Sequence, residues 1–376
     1  MSKLDELIRE LCPDGVEAKK LKDFLVIKNG SDYKSFGTGD YPVYGSGGIM
    51  TYIDRYAYDK PSVLIPRKGS IDKLYYVEKP FWNVDTIFYT EIDTTKAIPR
   101  YVYYCLQQKH LEEYNTAGGV PSLTQKVLNN IEILVPPLGI QREIVRILDN
   151  FTNLAAELAA ELAARQKQYA FYRNKLLTFG KIEGARIERI PLGDIGSICM
   201  CKRILKSQTN TVGGVPFYKI GTFGKKADSY ISQETFDEYR SKYNFPKKGD
   251  VLISAAGTIG RTVVYDGEPA YFQDSNIVWI DNDESMVLNS YLRYCYELKP
   301  WKASEGGTIP RLYNDNIAKA VIAVPPIEEQ KRVVSILDRF DAICNDLTSG
   351  LPAEIEARQK QYEYYRDRLL SFKELN

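Results

Sequence analysis

The stretch from Val135 to Phe179 returns, in order, as the stretch from Val324 to Phe372, and this repeat limits the fold more than any other feature. Val135-Pro136-Pro137 reappears as Val324-Pro325-Pro326, Ile147-Leu148-Asp149 as Ile336-Leu337-Asp338, and Ala164-Arg165-Gln166-Lys167-Gln168-Tyr169 as Ala357-Arg358-Gln359-Lys360-Gln361-Tyr362. The chain is therefore two copies of one unit, each a variable body followed by a long helix. Its 376 residues leave room for two or three domains, and 44% hydrophobic with 26% charged is ordinary globular composition.

Val-Pro-Pro marks a helix boundary, because proline lacks a donor and biases the residue before it away from helix. The first helix is predicted from about Gln141 to Phe179, roughly 58 Å long at 1.5 Å per residue. Leu148, Phe151, Ala155, Leu158, Leu162, Tyr169, Tyr172, Leu176 and Phe179 recur in alternating steps of three and four, with Arg165 the one polar member. That average of about 3.5 is a coiled-coil seam. The second seam is Leu337, Phe340, Cys344, Leu347, Leu351, Ile355, Tyr362, Tyr365, Leu369 and Phe372. It carries four extra residues where Gly350-Leu351-Pro352 should break or kink the helix. Two such helices pair antiparallel within the chain, giving a pseudo-twofold rod with a body at either end, or each seeks a separate partner chain. The Ala155-Ala156-Glu157-Leu158 and Ala159-Ala160-Glu161-Leu162 array reads as a stiff spacer, about 6 Å per unit.

Residues 1 to about 20 read as a short helix with Leu4, Ile8 and Leu11 at helical spacing, ended by Cys12-Pro13-Asp14-Gly15. The body that follows is β-rich, with strand signals at Val43–Ile53, Ser62–Pro66 and Pro80–Tyr89, and a helical signal from Pro99 to Leu111. The second body begins near Ile190-Pro191-Leu192-Gly193-Asp194, echoing Leu21-Lys22-Asp23. Leu252–Ile259 aligns with Leu64–Ile71, and Gly306–Leu312 with Gly118–Leu123. A shared scaffold with divergent glycine-bounded loops fits two heads reading different targets, or drift after duplication.

Six cysteines without a CxxC pair and a single histidine, His110, argue against a zinc site. Cys105 and Cys295, at equivalent places, read as small core residues. No apolar run approaches a membrane span, and Met1–Glu6 has no apolar signal core, so a cytoplasmic location is expected. No P-loop, dinucleotide fingerprint or GxSxG elbow occurs, and Val-Pro-Pro-Leu and Val-Pro-Pro-Ile lack the residues an amino-methyltransferase places around such a turn. We expect no catalytic residue and no bound metal.

Fifty basic and 49 acidic residues nearly cancel, so local distribution decides. From Ile195 to Ala227 six basic residues (Lys202, Arg203, Lys206, Lys219, Lys225, Lys226) occur with no acidic one, interleaved with Phe217, Tyr218 and Phe223. This is a phosphate-contacting field or a solvated basic face. In the first body the positive points Lys60, Arg67, Lys68 and Lys126 surround an uncharged Tyr44-Gly45-Ser46-Gly47-Gly48 loop, where glycine permits close backbone approach. The tips Arg67-Lys68-Gly69-Ser70 and Ala255-Ala256-Gly257-Thr258 match, with Arg261 restoring a cation, and Ser122 matches Arg311. These residues are the candidate base and phosphate contacts.

The paired Val-Pro-Pro…Gln…Ile-Leu-Asp segments, the paired Arg-Gln-Lys-Gln-Tyr helices, the Ala-Ala-Glu-Leu array and the Phe272–Trp279 strand together resemble the specificity subunit of type I restriction-modification systems. The resemblance spans essentially the whole chain and departs from it at the array, where Thr-Ala-Glu-Leu is expected. It implies an α+β fold: two β-rich target-recognition domains related by pseudo-twofold symmetry, separated by a long antiparallel two-helix coiled coil. The corresponding segments are residues 1–140 and 184–329 for the recognition domains and 141–183 and 330–376 for the helices, the latter kinked near 350–352. It further implies that each domain reads half of a bipartite double-stranded DNA site, that the coiled coil sets the gap, and that its ends dock two methyltransferase subunits, joined by motor-nuclease subunits for cleavage. Partner contacts would fall on Gln141, Arg142, Arg165, Tyr169, Tyr172 and Arg173, and on Gln330, Arg332, Arg358, Tyr362, Tyr365 and Arg366. S-adenosylmethionine and ATP would belong to the partners, and the methylated base would be a flipped adenine. The competing reading is a coiled-coil adaptor that binds proteins alone.

Overall fold

The computed structural model describes residues 3–115, 121–178, 187–302 and 311–375. Phe179 and the glycine-pair segments Gly118-Gly119-Val120 and Gly306–Pro310 lie outside them. The chain forms two compact units, Met1–Ala160 with Glu354–Asn376, and Glu161–Ala353.

In the first unit the strands Leu25–Lys28, Ile87–Ile92, Ser62–Pro66 and Tyr75–Val77 lie in that order in one antiparallel sheet. Ser62–Pro66 is buried throughout, as expected of a central strand with no polar alternation. A second sheet pairs the hairpin Tyr41–Gly45 and Gly48–Ile53 with Trp82–Asn83 in parallel. The first segment is a helix only over Lys3–Leu11, whereas Ala18–Lys20 is a strand against Glu132–Leu134. Tertiary pairing overrides local propensity here: Gly15, at φ +134, brings the next residue to the chain's far end, where Val16 donates to the Lys373 carbonyl at 2.8 Å. Helix Pro99–Gln108 closes the core, with Tyr101 donating to the Leu134 carbonyl at 2.8 Å.

The second unit repeats this topology. Ser197–Cys199, Ile277–Asp281, Val251–Ser254 and Thr262–Val264 form the antiparallel sheet, and Val215–Tyr218 pairs in parallel with Tyr271–Phe272. Glu188–Pro191 against Val321–Val324 closes the body, and Tyr291 donates to the Ala323 carbonyl at 2.9 Å. The segment Phe272–Trp279, read as one strand, is two strands joined by the polar turn Gln273–Asn276. An inserted helix, Gln233–Lys242, buries Phe236 beside Phe245. Cys105 and Cys295 are core residues, their thiols pushed up to about 12 by burial.

Leu138–Thr178 is one 41-residue helix shared by the two units. Phe151, Ala155, Leu158 and Leu162 are half-buried while Leu154, Ala156, Glu157, Ala159 and Ala160 are exposed, which is the anticipated seam. In the first unit Phe151 stacks on Tyr365 at 5.3 Å. In the second, Tyr172 stacks on Phe340 at 5.8 Å and Tyr169 lies against the same ring at 6.3 Å. The twin is two helices, Ile327–Asn345 and Leu351–Leu369. Asp346 stops the first by accepting from Thr348 N at 2.7 Å and Ser349 Oγ at 2.5 Å. Pro352 lies in the opening turn of the next helix, where no donor is required. The break is therefore at Asp346–Gly350, and Leu347, expected on the seam, falls inside it and is 76% exposed.

Candidate nucleic-acid interface

Three separate segments converge in the first unit. The tip that follows strand Ser62–Pro66 is clamped on one side by Leu123 N donating to the Arg67 carbonyl at 2.9 Å and Gly69 N to the Pro121 carbonyl at 3.1 Å, with a bridge between Lys68 and Ser122. On the other side Arg67 N donates to the Thr86 carbonyl at 3.0 Å. Gly69, at φ +79, carries the tip past the hairpin, where a Cβ would sit 3.8 Å from Ser46 Oγ. Tyr75 Oη donates to the Ser46 carbonyl at 3.2 Å and Ser46 N to Thr86 Oγ1 at 3.3 Å, so the hairpin tip is anchored while Gly47 stays exposed, with open space where a Cβ would stand. Ser46, Ser70 and Ser122 are half-buried around this point and Lys68 is exposed. A groove of about 780 Å³ runs along it, lined by Lys34, Ser46, Gly47, Met50, Asp85 and Thr86. The Arg67 guanidinium lies 5.2 Å over the Phe88 ring. Tyr44 forms a wall, packed on Tyr75 and Phe81, with its phenol pushed up by burial. Lys126 stands exposed on the short helix Gln125–Asn129.

The second unit builds the same junction with different side chains. Leu312 N donates to the Ala255 carbonyl at 2.8 Å, Ala256 bridges Arg311, and Ala255 N donates to the Asn276 carbonyl at 2.7 Å. Arg311 thus occupies the place of Ser122, and its Nη2 donates to Ser275 Oγ at 3.0 Å. Ser275 itself is in the left-handed region, at φ +53. Arg203, Lys206 and Lys219 line a groove of about 640 Å³ with Gln273–Asn276, and Ser275 also lines a neighbouring groove of about 680 Å³ with Arg311, Tyr313 and Lys319. Thr258 is exposed at the loop tip.

The fold tempers the basic stretch. Arg203 pairs with Asp274 at 2.9 Å and Lys219 with Asp228 at 2.8 Å, carboxylates from outside the stretch. Lys202 rests 5.1 Å over the Tyr243 ring, and Lys206, Lys225 and Lys226 are exposed. Lys225 lines a separate cleft of about 320 Å³ with Tyr218, Phe223 and Phe272 rather than the two grooves. Arg261 is also not a surface cation: its Nη1 donates to the Phe223 carbonyl at 2.9 Å and buttresses that turn. Sequence reasoning passed over Gln273, Asp274, Ser275 and Tyr313; a polar quartet between two apolar strands was the available signal.

Half of the expected partner contacts face inward instead. Gln141 is fully buried, accepting from Ile98 N at 2.8 Å and donating to the Lys96 and Pro136 carbonyls at 3.0 and 2.7 Å. Gln330 does the same with Leu288 N at 2.9 Å and the Met286 and Pro325 carbonyls at 2.8 Å. Tyr169 and Arg173 both donate to Glu297, at 2.8 and 2.9 Å, while Tyr362 donates to Gln107 at 2.7 Å and Arg366 is buried beside it. Gln141 and Gln330 hold the start of each helix on the body before it, whereas Tyr169 and Arg173 hold the end of the first helix in the second unit and Tyr362 and Arg366 hold the last helix in the first unit. Arg142, Arg165 and Arg332 are exposed, the last two paired with Glu161 and Glu329. Arg358 is half-buried next to Glu354, and Tyr172 and Tyr365 are the ring-stacking residues of the seam. Among the described residues no group of three His, Cys, Asp or Glu side chains converges on a metal position, and no helix is long and apolar enough to cross a membrane.

Two bodies of one topology, each closing three loops into a surface junction with its own polar set, define a two-headed recognition protein. The model for the type I restriction modification DNA specificity domain matches twice, over residues 13–165 and 186–357. A putative type I restriction enzyme specificity subunit of Haemophilus influenzae is 48% identical over 89% of each chain. A type I restriction enzyme specificity subunit of Escherichia coli is 33% identical over 75% of this chain and 73% of its own. The S subunit of a Mycoplasma genitalium system shares the fold at a TM-score of 0.57, 16% identity and 94% coverage of both chains. A chain from a structure of type I system assembly reaches 0.62 at 17% identity, covering 96% of this chain and 98% of that one. The chain belongs to the specificity subunits of type I restriction-modification systems, and DNA-target recognition is its role.

Proposed function

We propose that each unit reads one half of a bipartite duplex target, with the junction of loop tip, polar turn and bridged segment as its reading surface. The observation that carries this is the repeated junction: identical backbone pairing at Lys68–Ser122 and Ala256–Arg311, with dissimilar side chains presented. Lys68, Ser46, Gly47, Ser70 and Ser122, backed by Arg67, Tyr44 and Lys126, serve the first half-site. Arg203, Lys206, Lys219, Thr258 and Arg311 serve the second, with Lys202, Lys225 and Lys226 contributing field to the phosphates. Serine accepts and donates to most base edges, whereas arginine favours guanine O6 and N7. Exchanging residues 21–134 for the head of a relative should therefore change one half-site and leave the other intact. A genome-wide methylation motif reads this out, and a change in both halves overturns independent reading.

The chain acts without catalysis of its own and works with two modification subunits, which carry S-adenosylmethionine and flip the target adenine, and with motor-nuclease subunits that use ATP. Its place of work is the cytoplasm, on cellular DNA. The Ala-Ala-Glu-Leu array of the long helix sets the gap. Inserting one more unit adds about 6 Å of helix and should lengthen the gap by about 1 to 2 base pairs at 3.4 Å each. An unchanged gap contradicts the ruler.

A further inference from the structure

The groove of the first unit contains a carboxylate held in place by its backbone alone. Asp85 stands at the tip of the turn Val84–Ile87, which Ile87 N closes by donating to the Val84 carbonyl at 3.2 Å. The residues on either side are pinned: Val84 N donates to the Tyr44 carbonyl at 2.9 Å, Arg67 N to the Thr86 carbonyl at 3.0 Å, and Ser46 N to Thr86 Oγ1 at 3.3 Å. Asp85 itself is exposed in the groove and, among the described residues, has no hydrogen-bond or ion-pair partner. The other carboxylate of the groove, Asp32, is engaged, accepting from the backbone N–H groups of Tyr33 and Lys34 at 2.8 and 3.2 Å. In the second unit the corresponding turn, closed by Ile277 N donating to the Gln273 carbonyl at 3.1 Å, is one residue longer. Its acid is neutralised, because Asp274 pairs with Arg203 at 2.9 Å.

A bare carboxylate on a surface that meets DNA is repelled by every phosphate within reach. It fits such a surface only opposite a hydrogen-bond donor. A carboxylate accepts and does not donate, and the donors in the major groove are the amino groups at cytosine N4 and adenine N6. Adenine sets its N7 acceptor beside N6, an arrangement that suits an amide and opposes an acceptor-only group; cytosine offers the donor alone. The hydroxyls of Ser46, Ser70 and Ser122 donate or accept and therefore select weakly, and the Arg67 guanidinium lies over the Phe88 ring. We propose that Asp85 is the specificity-determining contact of the first half-site, accepting from the N4 amino group of a cytosine. Exposed Lys34 and Lys68 supply the cations for the phosphates. Asp85 also excludes guanine and thymine, whose edges present the O6, N7 and O4 acceptors. This inference rests on the proposed reading of one half-site by the first unit, and deepens it to the base that is read.

The test is fluorescence anisotropy of the full chain with its modification subunit, on duplexes that carry the methylation motif and each single base-pair change within it. The first half-site is the one that changes when residues 21–134 are exchanged. The unaltered complex should lose roughly 5- to 150-fold in affinity when one C·G pair of that half becomes T·A. Asp85→Asn, equal in shape but able to donate, should cut this loss to under about 3-fold and tighten nonspecific binding roughly 2- to 5-fold by removing the repulsion. Asp85→Ala should lose discrimination at the same position, with every penalty in the second half as before. Circular dichroism of both variants should match the unaltered chain, because the side chain is exposed. Unchanged discrimination at every first-half position in both variants overturns the assignment, as does a first half without a C·G pair. A uniform change at all positions of both halves also overturns it, since that is the signature of charge alone. If exchanging residues 21–134 changes neither half, the functional reading fails and the assignment falls with it.

Discussion

Replacing Arg203, Lys206 and Lys219 together by alanine is expected to lower affinity for cognate duplex on the order of 100-fold at physiological salt and to make the salt dependence shallower by about 3 in log-log slope. The three side chains line one groove beside the turn Gln273–Asn276. Two of them are held by Asp274 and Asp228 in the DNA-free chain. Phosphates would take over those partners, so Asp274→Asn should tighten nonspecific binding and not abolish it. Fluorescence anisotropy across a salt series measures both effects. An unchanged slope in the triple variant would remove this groove from the interface.

Gln330→Ala should destabilise the second unit by about 3 kcal/mol, and Gln141→Ala the first by a similar amount. Each amide satisfies one backbone N–H and two carbonyls at the junction of body and helix, and truncation leaves buried groups without partners at about 1–3 kcal/mol each. Trp279 and Trp301 lie in the second unit and Trp82 in the first. Tryptophan fluorescence in urea should therefore show the Gln330→Ala midpoint fall in the transition that Trp279 and Trp301 report. Unchanged midpoints in both variants would show that water replaces the amide and that the residues are not staples.

The repeat made much of the fold legible. Val-Pro-Pro marks the start of each helix, Ser62–Pro66 and Leu252–Ser254 lie in the central strands, and the seam from Phe151 to Leu162 follows its 3.5 spacing into burial. Local patterns carry that information. What stayed hidden depends on distant partners. Nothing near Ala18 shows that its strand pairs with Leu134, and nothing near Gln141 shows that its amide meets Lys96 and Ile98. The heptad runs on through Leu347, yet Asp346 hydrogen-bonds forward and ends the helix first. At the interface the matched tips and the Ser122–Arg311 equivalence were readable, since alignment alone gives them. Asp228 and Asp274, which neutralise part of the basic stretch, enter through folding and carry no mark in the stretch itself.

The central claim, one half-site per unit, is tested most directly by mapping modified bases in the genome of a methylation-free host that expresses this chain with its modification subunit. The account predicts a single bipartite motif: two short defined halves, a gap of fixed length, and adenine methylation in both halves. Methylation without sequence preference, or one uninterrupted motif with no gap, would contradict it.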